Sequence, residues 1–161
     1  MWIDRHGSAA LLTLACVAMT ACVPRIYSRH TLELQHPDPA ALDIHYAPFE
    51  GCLLQRQVPV SYRLQRPQYV LRAEVGFASE DDAASLVLSL EGEGALSARF
   101  PGLVPAPHRQ PLERGYRYRL DTRSIVDGRF NVEVLRDDQV LDRQWFRVQQ
   151  RHCRALDIDG R

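Results

Sequence analysis

The chain contains no lysine. All 20 of its basic residues are arginines, and 20 acids balance them to a net charge of zero, so no overall charge draws it toward nucleic acid or acidic substrates. An arginine-only set records the coding bias of a GC-rich genome, with phosphate binding through planar guanidinium forks as the alternative. Catalytic signatures are missing as well. There is no Gly-x-Ser-x-Gly nucleophile elbow, no phosphate-cradling glycine loop and no Cys-x-x-Cys pair. His30, His36, His45, His108 and His152 lack the short spacing of a zinc site. They read as solvated loop histidines, with a spatial cluster of His30, His36 and His45 as the alternative. Glu80-Asp81-Asp82 and Asp137-Asp138 read as hairpin tips, with calcium ligation between loops as the alternative. No catalytic residue, cofactor or metal ligand is therefore expected, and the chain reads as something other than an enzyme.

Long apolar runs are equally scarce. The one candidate, Ala9 to Val23, is broken by Thr13 and Thr20 and falls short of the roughly 20 residues needed to cross a bilayer. Arg5 and His6 precede it and small residues close it, the pattern of a secretory signal. Within it, Met19-Thr20-Ala21-Cys22 resembles the lipobox of bacterial lipoproteins, where the signal is cut before a cysteine that is then acylated. The resemblance implies Cys22 as the lipid carrier, with palmitate-type acylation and an anchor of more than one acyl chain. Val23 stands where family members held in the inner membrane often have Asp, which implies an outer-membrane lipoprotein on the periplasmic face. The expected division is residues 1–21 as signal peptide, 22–29 as lipidated cysteine and short tether, and 30–161 as one domain. That tether spans at most about 25 Å, which would hold the domain near the bilayer, where Arg25 and Arg29 could touch lipid phosphates.

Cysteine is sparse. Four are present, and beyond Cys16 and Cys22 only Cys52 and Cys153 remain. In an exported, oxidising setting a single disulfide between them is the natural expectation. Closing about 100 residues, it would contribute roughly 4 to 5 kcal/mol in a chain-entropy picture.

From Val58 to Val148 the apolar residues alternate with period two, the mark of strands with one buried face. The clearest runs are Tyr69-Leu71-Ala73-Val75-Phe77, Val58-Val60-Tyr62-Leu64, Leu86-Leu88-Leu90, Leu96-Ala98-Phe100, Tyr116-Tyr118-Leu120 and Phe130-Val132-Val134. Thr31–Gln35 and Leu42–Tyr46 read as edge strands joined by a turn at His36-Pro37-Asp38-Pro39. This pattern predicts an all-β antiparallel sandwich or barrel. The stretch Leu120 to Val140, LDTRSIVDGRFNVEVLRDDQV, resembles bacterial immunoglobulin-like modules and narrows the expectation to an immunoglobulin-like β-sandwich. Asp121 would cap a corner, Gly128 would supply a positive φ, and Phe130 replaces the tyrosine of a tyrosine corner.

Two features suggest partner binding. PGLVPAPHRQP, residues 101–111, holds four of the ten prolines and reads either as a rigid connection or as an extended loop presenting Val104, Pro105 and Pro107 to a partner. Trp145 and Phe146 are adjacent on the last strand, so one must leave the core unless a bulge intervenes. An outward Trp145 would anchor a partner or be covered by a second layer. The functional expectation is a lipid-anchored, non-catalytic accessory or binding module of the envelope with an unidentified protein partner. A periplasmic inhibitor or ligand sensor is the alternative, and an enzyme with an unrecognised site the third reading.

Overall fold

Period-two alternation is realised as ten strands among the described residues. The structure, a computed structural model, describes residues 25–48, 57–76, 84–125 and 128–157. The strands are β1 (Arg25–Gln35), β2 (Leu42–Pro48), β3 (Gln57–Arg66), β4 (Tyr69–Val75), β5 (Leu86–Gly92), β6 (Leu96–Arg99), β7 (His108–Leu112), β8 (Gly115–Leu120), β9 (Arg129–Arg136) and β10 (Gln139–Asp157). They form a six-stranded sheet in the order β2-β3-β4-β5-β8-β7 and a four-stranded sheet in the order β1-β10-β9-β6. Every pair is antiparallel. The chain is thus an all-β sandwich. Within it β4-β5-β8-β7 faces β6-β9-β10, the strand order of an immunoglobulin constant-type domain; β1, β2 and β3 are additions at the sheet margins.

Burial follows the alternation. Tyr69, Leu71, Ala73 and Val75 of β4 are buried, as are Leu86, Leu88 and Leu90 of β5 and Phe130, Val132 and Val134 of β9. Phe146 resolves the Trp145–Phe146 ambiguity by packing inward, stacked on Phe130 at 5.4 Å between ring centroids. Phe100 meets Tyr118 edge-on at 5.1 Å.

Three buried tyrosines of the six-stranded sheet reach across to the other sheet. The Tyr62 hydroxyl accepts from the Leu34 N–H (3.3 Å) and the Tyr118 hydroxyl from the Ala98 N–H (2.6 Å). The Tyr69 hydroxyl donates to Asp142 (2.6 Å). Leu34 and Ala98 belong to β1 and β6, the two margins of the four-stranded sheet. Tyrosine hydroxyls therefore occupy edge N–H groups that would otherwise be open to another chain.

The connections follow local chemistry. Asp121 caps a 3₁₀ turn at Thr122–Ser124, its carboxylate accepting the Arg123 N–H at 3.0 Å. Asp137 and Asp138, with φ of 49° and 64°, form the two-residue turn between β9 and β10, left-handed positions that Asp tolerates better than most residues.

Two expectations change. β1 begins at Arg25, inside the segment 22–29 expected as a tether, and pairs with β10 from Arg25↔Asp157 onward. The irregular run expected over 101–111 is shorter, because His108–Leu112 is β7. Pro111 is accommodated there because β7 is an edge strand that needs no second ladder.

Candidate functional site

The outward face of the four-stranded sheet is built by the odd-numbered residues of β10. Arg143, Trp145, Arg147, Gln149 and Arg151 share that face because side chains two apart point the same way. β9 contributes Glu133, Asn131 and Arg129, lying opposite Arg143, Trp145 and Arg147 respectively. β6 adds Arg99 beside Glu133, and β1 adds Gln35 and Glu33 beside Arg147 and Gln149. Five arginines thus share a face with two glutamates.

The glutamates are already engaged. Arg99 holds Glu133 through its Nε at 2.8 Å and its Nη2 at 2.5 Å, and Arg143 donates its Nε at 3.1 Å. These two guanidinium groups hold the Glu133 carboxyl below its ordinary pKa, so it stays ionised rather than exchanging protons near neutrality. Glu33 is paired with Arg151.

The centre is different. Trp145 is half-buried and outward, with the Arg129 guanidinium carbon 4.8 Å from its ring centroid, a cation–π contact. Exposed Arg147 stands directly opposite Arg129 in the ladder and makes no ion pair among the described residues. Two like charges so placed disfavour the ladder, and an incoming carboxylate would relieve that cost. An aromatic anchor beside two guanidinium groups that have no carboxylate partner among the described residues suits an acidic protein surface, because arginine and tryptophan carry much of the energy at interfaces.

Of the expected partner-binding residues, Val104 is 81% exposed, Pro105 is exposed and Pro107 half-buried. The last β6–β9 pair is Arg99↔Glu133. The 101–107 loop therefore leaves the sheet toward the end that carries Trp145, and register places the two features at one end of one sheet. Cys22 and Cys52 lie outside the described residues. Cys153 stands on β10 opposite Arg29 of β1.

The candidate histidine cluster does not assemble. His36 is buried, its Nε2 2.8 Å from the Gln144 side-chain oxygen, whereas His45 is exposed beside Asp43 at 3.7 Å. Sequence reasoning missed the chain that His36 begins. The Gln144 amide nitrogen donates to Asp142 (2.8 Å) and to the Tyr69 hydroxyl (3.3 Å). His36 Nδ1 lies 3.1 Å from the Asp38 N–H and 3.0 Å from the Asp38 carbonyl oxygen. Each member satisfies the next, so the network locks the β1–β2 connection to β4 and β10. Its sequence signal is polar Asp142 and Gln144 at inward positions of an alternating strand.

No family model matches the chain, and no curated protein or solved structure is significantly similar to it.

Proposed function

We propose that this chain is a lipid-anchored binding module of the bacterial outer membrane, facing the periplasm, that recognises an acidic surface of an envelope protein through the Trp145 face without catalysing a reaction. One observation carries the reading: Trp145 stands outward on the four-stranded sheet beside the facing pair Arg129 and Arg147, which have no carboxylate partner among the described residues. The lipobox-like Met19-Thr20-Ala21-Cys22 supports the anchor. It lies three residues before β1, so an acylated Cys22 would be joined almost directly to the sheet whose outer face carries Trp145.

The test is quantitative co-purification of full-length protein from cross-linked cells. Trp145→Ala and the double reversal Arg129→Glu with Arg147→Glu should each remove the same stoichiometric protein. Arg72→Ala, on the outward face of the other sheet, should retain it. A set of captured proteins indifferent to all three changes would overturn the reading.

A further inference from the structure

At the opposite end of the sandwich the two sheets leave a cleft of about 420 Å³ lined by Ala95, Ser97, Arg109, Tyr116, Asp137 and Asp138. Its walls come from different sheets and carry opposite charge. On one side Arg109 of β7 lies flat over Tyr116 of β8, the guanidinium carbon 3.9 Å from the ring centroid, a contact that restrains its planar fork. On the other side the Asp137 and Asp138 carboxylates project from the two-residue turn, held by two left-handed backbone positions and by the Asp137 N–H donating to the Ala95 carbonyl at 3.4 Å. Ser97 of β6 lines the cleft at the sheet margin.

On the outer face of the four-stranded sheet arginines close on acids, as Arg99 and Arg143 do on Glu133 and Arg151 does on Glu33. Across this cleft they do not: Arg109, Asp137 and Asp138 form no ion pair among the described residues. A cation and two anions lining one space within the usual range for small-molecule sites, roughly 300 to 1,000 Å³, are complementary to a ligand that carries both charges.

We propose that the cleft binds a small zwitterion of the α-amino acid or short-peptide class. The ligand carboxylate meets the Arg109 fork as a charge-assisted pair, its ammonium group meets Asp137 and Asp138, and its side chain lies against Ala95 and the Tyr116 ring. Ser97 is placed to hydrogen-bond the ligand backbone. The cleft stands about seven residues of β10, roughly 20 Å, from Trp145, so this inference does not rest on the protein-partner reading.

The test is titration of isotope-labelled full-length protein in detergent micelles, following backbone amide shifts. The probes are alanine, alanyl-alanine, N-acetyl-alanyl-alanine and alanyl-alanine amide. Saturable shifts at Ala95, Ser97, Asp137 and Asp138 are expected with the zwitterions, with both blocked compounds at least about tenfold weaker. Tighter binding of alanine identifies a free amino acid as the ligand class, and tighter binding of alanyl-alanine a peptide terminus. Asp137→Asn with Asp138→Asn keeps residues that accept positive φ and removes the anionic wall; Arg109→Gln removes the cation. Each variant should weaken binding about tenfold or more while leaving the remaining amide spectrum unchanged. Equal binding of blocked and free dipeptides, absence of saturable shifts at about 10 mM ligand, or unchanged affinity in both variants would overturn the proposal.

Discussion

At the scale of single residues, hydroxyl groups and one carboxylate join the two sheets. Burial pushes the Tyr62 hydroxyl up to about 12, partly offset by the Leu34 N–H it accepts, so it remains a neutral acceptor throughout the physiological range. Tyr62→Phe and Tyr118→Phe each leave an edge N–H unpaired beside a core that otherwise keeps its shape. Each should cost about 1 kcal/mol by chemical denaturation, with no change in sheet content by circular dichroism. Asp142 couples stability to pH. Burial alone would raise its carboxyl, but the Tyr69 hydroxyl, the Gln144 amide, the Arg143 N–H and the Arg66 guanidinium together bring it below the ordinary value. A carboxyl depressed in the folded state contributes stability that is fully present above its unfolded pKa, about 3.9, and lost as pH falls through the folded value. Asp142→Asn should therefore lower stability near neutrality and flatten the acid limb of the stability–pH profile, measured by urea unfolding across that range.

At the scale of elements, alternation was legible wherever a strand has one apolar face. Tyr69 to Val75 and Phe130 to Val134 announce their buried residues because side-chain direction repeats every two positions. The first residues of β1 were not legible: Arg25 to Arg29 owe their extended form to pairing with β10, more than 120 residues away, which no local pattern reports. The cleft was hidden for the same reason, since Ser97, Arg109, Tyr116 and the Asp137–Asp138 turn meet only when the sheets pack. Trp145 lay between. The sequence shows that either it or Phe146 must leave the core, and the Phe130–Phe146 stack decides which. The turn into β8 carries a sharper prediction. Gly115 sits at φ 134°, and a Cβ there would lie 2.0 Å from the Leu90 carbonyl oxygen on β5. Gly115→Ala should destabilise the fold by more than about 1 kcal/mol, with the loss read from the thermal or denaturant midpoint.

At the scale of the whole molecule, β10 is the organising strand. Its 19 residues, about 60 Å of extended chain, begin at the Asp137–Asp138 turn, carry Trp145 along the sheet and end opposite Arg25. In a lipid-anchored chain this would place the cleft at the end far from the membrane and the Trp145 face between. The anchor and the disulfide each have a direct check. Cys22→Ser should abolish acyl mass and release the protein from membranes in fractionation. If Cys52 and Cys153 are bridged, reduction should raise the intact mass by about 2 Da, one hydrogen per sulfur, and two freely alkylated thiols in the native protein would exclude the bridge.

On the proposed reading, Trp145 and its arginines form the face that meets an acidic envelope protein. A photo-cross-linking residue placed at Asn131, directly across the ladder from Trp145, tests it in living cells, with the same residue at Arg72 on the far sheet as the reference. One dominant adduct is expected from position 131, formed through an acidic segment of its partner, absent from position 72 and lost when Arg129 and Arg147 become glutamate. Equal adducts from both faces, or an adduct at position 131 that survives the charge reversal, would contradict it.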